Sequence, residues 1–346
     1  MVEFLARNDE QRLLDETVSR VFADPQSLER NLTQLGLLAL PFAEVDGGLH
    51  QDESDERTDL AIAFAAKGRA YGIDTLLFQA VLGGGIAAAI STPDRADIVQ
   101  GIIEGRERVA VGLHEPRART DIYHCETQAT RTANGWTIVG AKTLVFGAEG
   151  ASRLIVLARI DERTEDPRAG LGLFLFNIEG PDAEWRHYRL RDGSPASDVT
   201  LTGVDVAEQA LIAGPDTAPG IMDRILCLTK LCLAAEASGM MQAMLAGTAT
   251  YVNERQQFGQ AIGSFQVIQH RLADMAVLAD QSSALVAKIA AGSADPVAIE
   301  SAYRAIADMG MTAAKSAIQL HGGYGMTEDL PYGQALRRMM TIALLF

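Results

Sequence analysis

Cysteine is scarce in this chain. There are three in 346 residues, Cys125, Cys227 and Cys232, and none sits in a CxxC pair. A sparse, odd count argues against a disulfide framework and fits a reducing, cytoplasmic compartment, with Cys227 and Cys232 read as helix core. Positive charge is short too: 30 Lys and Arg stand against 45 Asp and Glu, a formal net charge of −15. Such a chain repels nucleic acid and anionic lipid over most of its surface, so neither is expected as a partner. A bound anion would then need local Arg, Lys or helix N-termini. No metal-ligand spacing is found. Long apolar runs are also missing. The most apolar stretch, "DTLLFQAVLGGGIAAAISTPD", is interrupted by glycines and reads as a buried helix plus turn rather than a membrane span. The N-terminal "MVEFLARNDEQRLLDETV" turns acidic within a few residues and lacks the pattern of a secretory leader.

Hydrophobic residues make up 48 % of the chain, enough for a packed core. The texture changes twice, which gives three segments. Residues 1–108 carry apolar positions at three- and four-residue spacing, as in "DEQRLLDETVSRVF", and predict helices. Residues 109–215 read as a small β domain of sandwich or barrel type. Asn134-Gly135 lies between β-prone runs as a hairpin signal, and "SRLIVLARI", "GLGLFLFNI" and "SDVTLTGVDV" read as strands. Residues 216–346 return to long helices of a four-helix bundle. One of these opens with Asp295 as cap and Pro296 at its first position and stops at Gly322-Gly323. The class is α+β multidomain.

Three short stretches carry possible chemistry. "NERQQFGQAIGSFQ", at a corner between two helices, combines Arg255, several amides, two rings and two glycines, where a plain connector needs only the glycines. Arg suits bidentate phosphate contact. "QLHGGYG" places three glycines within four positions, which lets backbone approach a ligand closely. "HEPRARTD", His114 to Asp121, follows the strand "VAVGL". Each alone has a bland reading: a solvated cation, a helix stop with a structural His321, and a polar connection.

Together these stretches resemble the acyl-CoA dehydrogenases, flavoproteins that oxidise acyl-CoA thioesters to α,β-enoyl thioesters. The most specific parts are "YVNERQQFGQAIGSFQVIQHRLADM" and "QLHGGYGMTEDLP", and the likeness covers nearly the whole length. It implies the order helices, β domain, helical bundle. It implies FAD as cofactor, contacted by Arg255, Gln257, Phe258, Ile262, Phe265, Gln266, Gln319, Gly322 and Gly323, largely on behalf of a neighbouring subunit. It also implies an acyl-CoA substrate and an electron-transfer flavoprotein as acceptor.

The likeness fails at the catalytic base. The two positions where the family carries its Glu fall here on Phe346 and Thr229, neither acidic. Glu236, two helical turns beyond Thr229, is the one substitute considered, and a buried or paired structural Glu is its plainer reading. Arg117 and Arg119 replace two glycines of the flavin loop, and Leu144 and Phe146 stand where Trp and Thr are usual. The pattern resembles the shorter, base-lacking subunit of heteromeric bacterial dehydrogenases of steroid side-chain degradation. Two alternatives stay open at this point: a homo-oligomeric dehydrogenase with an unusual base such as Glu236, and a non-catalytic scaffold of the same fold.

Overall fold

The computed structural model describes residues 8–24, 27–50, 52–72, 76–90, 92–161, 165–178, 182–292 and 295–346. The reading of residues 1–7 as leader-free lies outside them. The chain falls into two units, one made of residues 1–31, 52–73 and 230–345, the other of residues 32–51, 74–229 and 346.

The first unit is helical. α1 (Asp9–Phe22) starts at a capping box, with the Asn8 side chain accepting from the Gln11 backbone N–H and Gln11 reaching back. The chain then runs through α2 (Leu28–Gln34) to α3 (Glu53–Arg69), which is capped by Asp52, whose carboxylate accepts from Ser54 N and Asp55 N. The later helices of this unit follow the β domain in sequence.

The second unit takes in α2's end and the apolar run. That run is a buried helix followed by a turn, but the glycines lie inside the helix: Leu77–Gly84 is a π-helix that continues directly into α4 (Gly85–Ala88), with every residue from 77 to 84 buried. The glycines are packing positions here. A Cβ at Gly84 would sit 2.6 Å from Phe42 Cζ, and one at Gly85 2.7 Å from Ile225 Cδ1. α5 (Arg95–Ile103) follows.

Among the described residues eight strands come next: β1 (Val109–Gly112), β2 (Gln128–Thr132), β3 (Gly135–Val145), β4 (Arg153–Arg159), β5 (Leu171–Asn177), β6 (Ala183–Arg189), β7 (Pro195–Ala207) and β8 (Leu211–Ala213). They pair in the order β6-β7-β3-β2-β4-β5-β8, with β1 parallel to β4. A bridge from Val111 to Phe146 ties β1 back to the end of β3, so β3, β2, β4 and β1 form a ring. Inside sit Trp136, Ile138, Val145, Leu154, Val156, Phe174, Val199 and Leu201, with Trp136 edge-on to Phe174. The hairpin at Asn134-Gly135 is present but shifted by one residue. Thr132 pairs with Gly135, so Ala133 and Asn134 form the turn. Gly135 itself opens β3 at φ +145°, where a Cβ would lie 2.2 Å from the Val206 carbonyl oxygen.

Helices then return. α6 (Ala218–Glu254) belongs to the second unit up to Thr229 and to the first from Lys230. The first unit continues with β9 (Gln256–Gln257), β10 (Gln260–Ala261), α7 (Gln266–Ala291), α8 (Pro296–His321) and α9 (Tyr332–Leu345). Asp295 caps α8 by accepting from Val297 N, with Pro296 at the first position. α3 and α6 touch backbone to backbone: a Cβ on Gly68 would lie 2.1 Å from the Glu236 carbonyl, and one on Gly239 2.0 Å from the Ala65 carbonyl. Among the described residues no helix is long and apolar enough to cross a membrane.

Candidate functional site

The corner after α6 is a small hairpin, which the sequence did not announce. β9 and β10 pair through Gln257 and Gln260, leaving Phe258 and Gly259 as the two central residues. Their φ values are +54° and +80°, the positive pair that a type I′ turn requires. Phe258 pays a local strain for this and leaves its ring 90 % exposed, resting edge-on against Phe265 at 6.1 Å. The base of the hairpin closes where Ile262 N donates to the Arg255 carbonyl. Phe265, half-buried, leads into α7, and Gln266 opens it, exposed.

The second stretch ends α8. Gln319 is exposed on the last turn; Gly322, at φ 61° and ψ −139°, takes a conformation open only to glycine. A Cβ at Gly322 or Gly323 would meet nothing within 4 Å, so this backbone faces open space. By contrast Gly325 is packed, with Ile318's carbonyl 2.5 Å from where its Cβ would be.

Two residues outside the expected contact set join the stretches. Tyr251, one turn before Arg255 on α6, stacks on His321 at 4.2 Å and 25°, and lies 6.4 Å from Tyr324. His321 also packs on Tyr332 and shares a hydrogen bond through Nδ1 with the Ala317 carbonyl. Burial pushes its pKa below the ordinary histidine value, so it is neutral at pH 7 and structural. A tyrosine four residues before the Arg, on the same helical face, was the available signal for this joint. The stack thus sets Tyr251, one turn before Arg255, against His321, the residue before Gly322-Gly323. Arg255, Gln257, Gln266 and Gln319 are exposed, and no hydrogen bond or ion pair holds these side chains among the described residues. A free guanidinium, free amides, an open ring and open glycine backbone suit an anionic ligand with a planar ring.

The acids are arranged very differently. Glu236 lies wholly inside the first unit, accepting from Lys67 Nζ at 2.9 Å and from Arg338 Nε and Nη2 at 2.6 and 3.0 Å. Burial raises its pKa but the two cations win, holding it at about 2. A carboxylate this acidic, with both oxygens committed, is a poor proton acceptor at pH 7. The environment opposes the base role weighed for Glu236. In the second unit Thr229 is buried and donates to the Ile225 carbonyl at 2.8 Å. Phe346 is buried against the His114 ring at 5.2 Å. Glu115 is buried too, accepting from Lys142 Nζ at 2.7 Å, Thr127 Oγ1 at 2.7 Å and the backbone N–H groups of Glu126 and Thr127. Burial is again outweighed and its pKa falls to about 2. Leu144 sits in the β3 bulge at φ +51°, and Phe146 is buried in a face-to-face stack with Phe78 at 3.8 Å. Neither offers a polar side-chain group.

Known proteins place the arrangement. Residues 220–345 match the family model of the acyl-CoA dehydrogenase C-terminal domain. A probable acyl-CoA dehydrogenase of Bacillus subtilis, YngJ, is 29 % identical over 327 residues, 90 % of this chain and 84 % of its own. The butyryl-CoA dehydrogenase of Megasphaera elsdenii superimposes with a TM-score of 0.86 at 22 % identity, covering 98 % of this chain and 94 % of its own. A steroid ACAD variant named Tcur3481-Tcur3483 does so with a TM-score of 0.81 at 26 % identity, covering 97 % and 93 %. The chain has the acyl-CoA dehydrogenase fold, and in residues 220–345 it carries that family's C-terminal domain.

Proposed function

We propose that this chain is a subunit of an FAD-dependent acyl-CoA dehydrogenase, one that lacks its own catalytic Glu and completes the FAD site of a homologous partner. The observation that carries this reading is the state of its carboxylates. Thr229 and Phe346 hold the two positions of the base and are buried among apolar or backbone partners, while Glu236 is clamped by Lys67 and Arg338. The corner around Arg255, by contrast, keeps its polar groups uncommitted.

When bound, FAD supplies the hydride acceptor for oxidation of an acyl thioester to the enoyl thioester. Arg255 would hold its pyrophosphate by charge-assisted hydrogen bonds. Gln257, Gln266 and Gln319 would serve the polar edges of its adenine end, and Phe258, Ile262 and Phe265 the adenine ring, with Gly322 and Gly323 leaving room for the chain to approach. The α-proton goes to a carboxylate that the partner brings. The likeness to the Tcur3481-Tcur3483 steroid ACAD supports a steroid or related lipid acyl-CoA as substrate of a two-chain enzyme, and an electron-transfer flavoprotein would take up the electrons.

The test is flavin stoichiometry and enoyl-CoA formation, with and without the homologous chain. Alone, the chain should turn over nothing; in the complex one FAD is expected per pair of unlike chains. Arg255→Ala should loosen FAD in the complex by about 10–100-fold, the worth of a charge-assisted hydrogen bond. Full FAD occupancy and robust turnover by the lone chain would sink the reading.

A further inference from the structure

β7 and β8 follow one another in the chain but do not pair. β7 ends at Ala207, Glu208–Ala210 makes a single short turn, and β8 bonds to β5 instead. The ends of β7 and β5 and the start of β8 enclose a cleft of about 740 Å³, all of it inside the second unit. That is the size of a small-molecule pocket. Its walls include Phe176 of β5, Val204 and Val206 of β7 and Ile212 of β8. Phe176, Val204 and Val206 are only half-buried, so apolar surface at the cleft is left in water.

The charged groups lining the cleft are Asp94, Arg153 and Asp205. Arg153 is already committed twice. Its Nη1 donates to Asp94 Oδ2 at 3.0 Å, and its Nε lies 2.9 Å from Glu107 Oε1. Two carboxylates on one guanidinium leave negative charge in excess. Asp205 adds to it. It is exposed, accepts from Thr137 Oγ1, and has no ion pair among the described residues. A carboxylate beside an apolar wall attracts a cation more strongly than one on open surface, because less water screens it.

The combination narrows the guest. An anion would be repelled by Asp94 and Asp205, a bare inorganic cation would leave the apolar walls wet, and a hydrocarbon would leave Asp205 unmatched. We propose that the cleft binds a small organic cation with an apolar body, of the alkylammonium class. The ammonium meets Asp205, and the body covers Phe176, Val204, Val206 and Ile212. Phe176 adds an aromatic ring, which such cations favour. None of these residues belongs to the set proposed for FAD, so the site stands apart from the subunit reading.

The experiment titrates the full chain by calorimetry with three probes that share one alkyl chain: hexyltrimethylammonium, hexanol and hexylsulfonate. The cation should bind about 5-fold or more tightly than the alcohol, and the sulfonate more weakly than either. Added salt should narrow the gap between cation and alcohol. Asp205→Asn keeps an oxygen for Thr137 and removes the charge. It should bring the cation to the level of the alcohol while the alcohol itself is unchanged, which a general loss of structure would not produce. Ala207 lines the cleft from an exposed position, so Ala207→Trp should fill it and weaken cation and alcohol alike by about 10-fold, at an unchanged Tm. A cation that binds no better than the alcohol overturns the site. So does a preference that survives Asp205→Asn, or binding of both probes that stays within about twofold of wild type in Ala207→Trp. None of these results bears on the proposed subunit function, which flavin stoichiometry of the complex decides separately.

Discussion

Replacing Glu236 by Gln removes one charge and almost no volume, so its effect isolates electrostatics. Lys67 and Arg338 contact it with side chains only 2 % and 5 % exposed. With the carboxylate gone, two buried cations face a neutral amide. Breaking a buried ion pair by removing one partner costs about 3–5 kcal/mol. The depressed pKa gives an independent figure: a carboxyl moved from its ordinary 4.5 to about 2 stabilises the folded state by about 3 kcal/mol at pH 7. At roughly 2–4 °C per kcal/mol, the variant should melt some 6–20 °C below wild type in a thermal scan followed by circular dichroism. The sign with pH is fixed as well. The folded-state pKa lies below the unfolded one, so the contribution is complete above about pH 4.5 and is lost as pH falls toward 2. The gap between wild type and variant should therefore close on acidification. A Glu236→Gln protein that melts within about 2 °C of wild type, yet loses turnover in the assembled enzyme, would refute the structural assignment and restore Glu236 as a catalytic candidate.

Three other outcomes are expected. Gly135→Ala should destabilise the β domain by about 2–4 kcal/mol, because its methyl would enter the Val206 carbonyl; an unchanged urea midpoint would contradict this. Phe258→Gly should leave Tm level or higher, since it relieves a left-handed Phe, while flavin retention in the complex falls; retention equal to wild type would remove Phe258 from the contact set. Lys142→Met should strand the Glu115 carboxylate and cost about 3 kcal/mol at pH 7, a loss that shrinks as Glu115 protonates; urea midpoints that differ equally at pH 7 and pH 3 would tell against it.

What could be read from the chain depended on whether the information was local. α1 and α8 were legible because their apolar spacing, and for α8 its cap Asp295, lie within a few residues. β4 and β5 were legible as short apolar runs. β6 was not: "AEWRHYR" is a sheet-edge strand with polar groups on both faces, so no alternation marks it. The buried helix of the apolar run was legible, but not its π form or the place of the glycines inside it, because glycines signal turns locally and only Phe42 and Ile225, distant in sequence, show why they are needed. At the candidate site the residue types were visible, but not their states. Nothing near Glu236 in sequence announces Lys67 and Arg338, which lie 169 and 102 positions away. The hairpin at Phe258-Gly259 was hidden because Phe is an unusual residue for a left-handed turn position.

The same long-range clamp has a consequence for the birth of the protein. The helical unit gathers residues 1–31, 52–73 and 230–345, so its opening helices are made long before the rest. Lys67 leaves the ribosome with neither its carboxylate nor the far wall of its burial site in existence. At about 5–20 residues per second, α1 and α3 wait on the order of tens of seconds for Glu236 and Arg338. The β-rich segment has its own sequence complete by then. The first-made helices of this chain are thus among the last to be secured, and through that interval α1 and α3 are the portion most open to chaperones and proteases.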